Sequence, residues 1–231
     1  MGIGDWLYPR KCVGCGRKGR YFCFDCLKSV RIRGDWRCPR CGRAAVGGRV
    51  HLGCKQKYGL DGLVSLLSYK GLVRLGVHGL KYEFLQDLEK EFLRILGLSI
   101  KEKLKDRQAM ELRSFLKKKP VVVGVPLHWR RENWRGFNQA EMVGRWVGEG
   151  LGLELVDMLE RRRATQPQTK LGGEARGKNV RRAFRVRRGL VVSERVLLVD
   201  DVWTTGATMR AGSQALKRVG VKEVWGLTLA R

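Results

Sequence analysis

Cysteine is absent from the chain after Cys54, so all seven cysteines are confined to its first quarter. Long apolar runs are missing too: none approaches the ~18 residues that a membrane-spanning helix needs, which argues against membrane insertion. The opening Met1-Gly2-Ile3-Gly4-Asp5-Trp6 lacks the basic start and apolar core of a secretory signal. It also has Trp6 where a myristoylation motif has Ser or Thr. A cytoplasmic address is the expectation. Acidic side chains are scarce, 22 against 48 basic ones, giving a net charge of +26.

That imbalance is concentrated. Residues 1–55 hold thirteen Lys and Arg against three Asp, and residues 161–188 hold eleven against one Glu. A field of this sign attracts polyanions: nucleic acid, polyphosphate or a phosphorylated small molecule. A solvated basic surface is the plainer reading, and charge alone does not choose between them.

With 231 residues the chain can form one substantial core plus a small module. The loss of cysteine marks the boundary, predicting a head over residues 1–55 and a larger domain over 56–231. In the larger part, Leu85, Leu88, Phe92, Ile95 and Leu96 recur at spacings of three and four, which predicts one helix face, with Gly97 as its stop. Leu63 to Tyr69 reads as a short strand. Val121-Val122-Val123-Gly124-Val125 and Val196-Leu197-Leu198-Val199 read as buried parallel strands. Helices are expected over 139–146 and 207–219, and a last strand over 223–229. Strands alternating with helices predict an α/β fold with a parallel sheet.

The cysteines fall as Cys12-x2-Cys15, Cys23-x2-Cys26 and Cys38-x2-Cys41, followed by His51-x2-Cys54. A knuckle of this spacing places two ligands on one metal, and two knuckles complete a tetrahedral site. A reducing compartment disfavours disulfides for these pairs. The economical solution is two structural Zn2+ ions, one held by Cys12, Cys15, Cys23 and Cys26, the other by Cys38, Cys41, His51 and Cys54. Interleaved knuckles would change the partners but not the conclusion. Full four-ligand occupancy leaves no position for a catalytic water. Metal is expected because about 55 residues with few large apolar groups bury too little surface to fold alone.

The most informative run is Val196-Leu197-Leu198-Val199-Asp200-Asp201-Val202-Trp203-Thr204-Thr205-Gly206-Ala207-Thr208. A buried strand delivers two carboxylates at its carboxyl end, where open α/β sheets bind ligands. The loop amides, the hydroxyls of Thr204, Thr205 and Thr208, and the following helix N-terminus suit one phosphate, with Gly206 and Ala207 giving close backbone approach. Asp200 and Asp201 suit hydroxyls or a divalent cation. A polar turn in which aspartates cap and threonines satisfy amides is the competing reading. The run is not a Walker loop, since no lysine follows the glycine.

Two further stretches belong to the argument. Arg135 before Gly136 could clamp a diphosphate, because guanidinium pairs with phosphate oxygens bidentately. Asn138 and Gln139 could read a base or hold the loop; plain surface and helix-start roles compete. Arg161 to Phe184 is a basic stretch whose Pro167 and Gly172-Gly173 argue against continuous helix. It suits a loop over a diphosphate, a nucleic-acid contact or a solvated linker.

The acidic-pair run resembles the phosphoribosyl-diphosphate signature of type I phosphoribosyltransferases. The resemblance implies that Asp200 and Asp201 bind the ribose hydroxyls and residues 204–208 the 5-phosphate. The whole layout resembles the ComF family, on the Cys-x2-Cys head, Leu80-Lys81-Tyr82, Arg135-Gly136-Phe137-Asn138-Gln139, Thr165/Gln168/Arg176/Asn179/Ala183-Phe184 and the acidic-pair loop. It departs at His51, where the family usually shows cysteine. The fold implied is a type I phosphoribosyltransferase-like parallel sheet flanked by helices, with an N-terminal zinc-ribbon module. Three functions stay open. The first is a phosphoribosyltransferase using Mg2+, with Asp200, Asp201 and Arg135 as catalytic residues and Lys81 assisting the leaving charge. The second is a DNA-uptake factor touching single-stranded DNA or a helicase. The third is a regulator that docks a protein partner.

Overall fold

The structure, a computed structural model, describes residues 10–32, 35–82, 86–127, 138–161 and 183–231. Four strands, β1 (Gly62–Leu67), β2 (Val121–Gly124), β5 (Arg195–Val202) and β6 (Glu223–Ala230), form one sheet in the order β1-β6-β5-β2. Every pairing in it is parallel. The expected α/β class is therefore the observed one. Between β2 and β5 lie two short antiparallel strands, β3 (Leu159–Arg161) and β4 (Phe184–Val186). Arg161 pairs with Phe184, so the basic stretch 162–182, itself outside the described residues, leaves and re-enters the fold at adjacent points.

Parallel strands must be covered on both faces, and alternation along each strand shows how. Val64, Leu66, Leu197, Val199, Trp225 and Leu227 share one cluster with Leu88, Phe92 and Leu96 of α3 (Gln86–Lys105) and Val143 and Val147 of α5 (Gln139–Leu151). Leu63, Val123, Val196, Leu198 and Val224 face the other way, against Met209 and Leu216 of α6 (Ala207–Arg218) and Leu159, Phe184 and Val186. Helices α2 (Gly71–Tyr82) and α4 (Met110–Lys117) add Val73, Val77, Leu112 and Phe115 to the first cluster.

The spacing-predicted helix face is real, with Leu88, Phe92 and Leu96 buried; Leu85 lies outside the described residues. The expected stop at Gly97 is wrong, since α3 runs on to Lys105. Gly97 serves packing instead. A Cβ there would stand 3.1 Å from Trp146 Cζ2, so the glycine lets α5 approach α3 closely. Its helix-propensity cost of about 1 kcal/mol is within what such packing offsets.

The head is less self-contained than its cysteine pattern suggests. Phe22 and Trp36 are buried in the same cluster as Phe92, Leu66 and Trp225. The rings of Phe22 and Phe92 lie 5.7 Å apart, and Glu91 on α3 accepts the Phe22 amide at 2.9 Å. Trp36 Nε1 donates to Asp106 at 2.7 Å, while the buried Lys103 ammonium sits 3.9 Å from the Trp36 ring centre. Donation from Trp36, then from the Gln108 amide, holds the Asp106 carboxyl below its ordinary value. Head residues also cover the open edge of β1, through antiparallel bridges Ile32–Leu67 and Arg49–Gly62. An uncovered edge would expose unpaired backbone to other chains.

Candidate functional site

Strand β5 runs on through Asp200 and Asp201 to Val202, beyond the four apolar residues that announce it. Burial stops at Val199; both aspartates are half-buried. Alternation sends Asp200 to the α6 side with Leu198, and Asp201 to the α5 side with Val199. Each carboxylate is tied to the backbone that follows it. Asp200 Oδ1 accepts the Asp201 amide at 2.9 Å, and Asp201 Oδ1 accepts the Val202 amide at 2.7 Å. Asp200 pairs in register with Thr228, whose hydroxyl lies 2.9 Å from that of Ser65.

The chain then turns through buried Trp203, exposed Thr204 and half-buried Thr205 into α6. Gly206 caps that helix in the left-handed region, at φ 69°, and a Cβ there would overlap the Trp203 ring. Both constraints demand glycine. Thr205 Oγ1 accepts the Ala207 amide at 3.4 Å, and the Arg210 guanidinium donates to Thr205 O at 2.7 Å, fixing the loop from inside the helix. Burial, and then the charge of Arg40, lower the pKa of Arg210 from its ordinary value. Thr208 is half-buried in the first turn of α6. Asp200, Asp201, Thr204, Thr205, Gly206, Ala207 and Thr208 thus form one contiguous strand-to-helix turn at the carboxyl edge of the sheet.

Two of the nominated residues are not placed with them. Arg135 lies outside the described residues. Lys81 has its backbone in the last turn of α2, but its side chain is outside the description. The neighbouring Leu80 carbonyl accepts from Gln139 Nε2 at 3.4 Å, which ties that end of α2 to the start of α5. Asn138 caps α5, its Oδ1 accepting the Ala140 amide at 3.1 Å and its Nδ2 donating to Val125 O at 3.3 Å. Both side-chain amides are engaged by backbone, Asn138 at the end of β2 and Gln139 at the end of α2. Arg210 and Trp203 were missed by sequence reasoning. An arginine in the first turn of a helix, where cations are disfavoured, is the signal that could have flagged the first.

In the head, the donor atoms of Cys12, Cys15, Cys23 and Cys26 lie within 4.8 Å of one another, and so do those of Cys38, Cys41, His51 and Cys54. Sequential rather than interleaved pairing is what the fold builds. His51 Nδ1 is 3.4 Å from Cys41 Sγ, while its Nε2 lies 2.8 Å from the Ala44 carbonyl. Donation from Nε2–H to that carbonyl leaves Nδ1 as the lone-pair ligand, the orientation that a metal-bound histidine needs. Sulfur and imidazole at this number and spacing fit Zn2+. Burial works against the Cys12 thiolate, yet the amides of Cys23, Cys15 and Gly14 together bring its pKa down to about 6. The Arg43 amide is the main cause of Cys41 also falling to about 6. Hydrogen bonds to Cys23 and Cys15 push Cys26 up to about 12. Bound metal lowers thiol pKa values further, so zinc should stay bound at neutral pH and be released only under acidic conditions, as protons return to the thiolates. Metal analysis after dialysis across a pH series checks this; zinc lost already at pH 7 would contradict it.

Known proteins match this arrangement. The Double zinc ribbon domain family matches residues 3–55, and the Phosphoribosyl transferase domain family matches residues 145–231. Zinc is thereby the structural metal of the head. The chain is 29% identical over 219 residues to Competence protein F of Haemophilus influenzae, covering 90% of each protein. It is 33% identical over 211 residues to DNA utilization protein YhgH of Salmonella typhimurium, covering 89% of this chain and 88% of that one. Competence protein ComFC of Streptococcus pneumoniae is 27% identical over 212 residues, or 90% of this chain and 87% of its own. Nearly end-to-end similarity, a paired-cluster head and a phosphoribosyltransferase-type sheet converge on one conclusion: the chain belongs to the ComF family.

Proposed function

We propose that the carboxyl edge of the sheet binds phosphoribosyl diphosphate with Mg2+ and supports phosphoribosyl transfer. The observation that carries this reading is the junction at Asp200 and Asp201. Two half-buried carboxylates sit at a strand end, and the chain passes within five residues into a helix capped by Gly206. A pentose phosphate presents hydroxyls at one end and a dianion at the other. The carboxylates accept hydrogen bonds from the 2- and 3-hydroxyls. Thr204, Thr205, Thr208, the Gly206 amide and, on release from Thr205 Oγ1, the Ala207 amide donate to the 5-phosphate, which also gains from the helix dipole.

Hard oxygen donors at this edge and on the diphosphate fit Mg2+, which supplies charge neutralisation of the leaving group when bound. As the bond from C1 to the diphosphate breaks, positive charge develops on the ribose ring. Asp200 and Asp201 orient that ring and stabilise the charge electrostatically. Arg135 and Lys81 are assigned to the departing diphosphate. Calorimetric titration of phosphoribosyl diphosphate with Mg2+ tests the site. Wild type should bind, and Asp200→Ala/Asp201→Ala should weaken binding at least about 100-fold, since charge-assisted hydrogen bonds contribute ~1.5–3 kcal/mol each. Equal affinity in the two proteins would remove the assignment.

A second reading concerns DNA handling. The relatives' names speak of competence and DNA utilization, and the net charge of +26 suits a polyanionic partner. In this reading the zinc-ribbon head, residues 1–55, meets single-stranded DNA or a DNA-uptake helicase in the cytoplasm, while the domain over 56–231 holds the sugar phosphate.

A further inference from the structure

The second knuckle, Cys23 to Cys26, displays a feature that neither zinc binding nor the sugar-phosphate site uses. The four-residue helix α1 (Phe24–Leu27) follows Cys23, contains Cys26 and buries none of its residues. Phe24, its first residue, is 71% exposed. It follows Cys23, whose sulfur accepts the Cys26 amide at 3.5 Å. The ring is thus carried on backbone that a metal cluster holds rigid, so presenting it to a ligand costs little ordering. Lys28 Nζ lies 4.7 Å from the ring centre.

The surroundings are strongly cationic. Residues 10–32 hold seven Lys and Arg and a single acid, Asp25. Asp25 is engaged by Arg17 at 2.7 Å and by Lys28 at 3.7 Å. Among the described residues of the head, the other exposed large apolar side chains, Ile32, Val46 and Leu52, are aliphatic and offer no π face. A rigid aromatic ring in a dense positive field combines the two terms that bind single strands, base stacking and phosphate attraction.

We propose that Phe24, flanked by Lys28, is a stacking platform for an unpaired base of single-stranded nucleic acid. This rests on the DNA-handling reading and is independent of the sugar-phosphate site. Bases of a duplex are already stacked on each other, so the platform discriminates against double strands. Lys28 contributes through phosphate, without regard to base.

The test is fluorescence anisotropy of the full, zinc-loaded chain with a labelled oligothymidylate over a salt series. Phe24→Ala should weaken binding about tenfold or more with the salt slope unchanged. Lys28→Ala should lower the slope by about 0.7. Phe24→Trp should retain affinity, and Phe24→Leu, which keeps bulk without a π face, should behave as Phe24→Ala. Zinc content and melting temperature confirm that each variant is folded. Unchanged affinity in Phe24→Ala and Phe24→Leu would overturn the platform while leaving the DNA-handling reading in place. No binding by wild type would remove both. Phe24-dependent binding to anionic phospholipid vesicles, with none to the oligonucleotide, would assign the ring to a membrane surface instead.

Discussion

Removing zinc should destabilise the whole chain rather than the head alone, collapsing the native thermal transition to a much lower temperature. A structural zinc site contributes on the order of 10 kcal/mol of folding free energy, comparable to the entire stability of a domain this size. The damage spreads because the head and the sheet share a core. Phe22 and Trp36 pack with Phe92, Leu66 and Trp225, and the head closes the β1 edge through Ile32 and Arg49. If the clusters open, α3 loses its Phe22 partner, Trp36 leaves Asp106, and β1 becomes an exposed edge. Calorimetry with and without chelator, paired with hydrogen exchange at Gly62–Leu67, reads this directly. An unaltered main transition after complete zinc loss would show that the larger domain stands by itself.

The second large effect is expected at Lys217 and Asp61. The ammonium of Lys217 on α6 lies 2.6 Å from Asp61, with both side chains nearly buried. The same carboxylate oxygen accepts the Val224 amide at 2.8 Å. One charge therefore joins the last turn of α6, the entry to β1 and the start of β6. Lys217→Met leaves the Asp61 anion without its counter-charge in a low-dielectric setting, which costs about 3–5 kcal/mol. Asp61→Ala strands the ammonium and the amide together and should cost as much. The double variant Asp61→Ala/Lys217→Met should recover part of the loss, because no buried ion is then left alone. Urea denaturation of the three proteins decides. Strictly additive losses would mean that the pair is not coupled.

Much of this was legible in the chain itself. The x2 spacings of Cys12 through Cys54 announced two four-ligand clusters, because a knuckle's geometry is local. The β-branched runs at 121–125 and 196–199 announced parallel strands, because burial on both faces leaves continuous apolar runs. The strand-to-helix turn at 200–208 was readable for the same reason: its chemistry lies in consecutive residues. Gly97 was misread because its role is to admit Trp146, 49 residues further along, and no local pattern encodes a distant neighbour. Arg210 was overlooked because its partner, Thr205 O, is a backbone atom, and a sequence does not display such partners.

By itself, then, the sequence determined the ligand-bearing knuckles, the strand and helix periods and the acidic turn, all set within a few residues of each other. Only the tertiary structure decided that Phe22 and Trp36 belong to the sheet's core, that Glu91 and Asp106 receive the head, and that Lys217 meets Asp61. The polar contacts among these join residues 69 to 156 positions apart. Their existence depends on how whole elements pack, because burial and charge pairing act through space, whereas propensity and ligand spacing act along the chain.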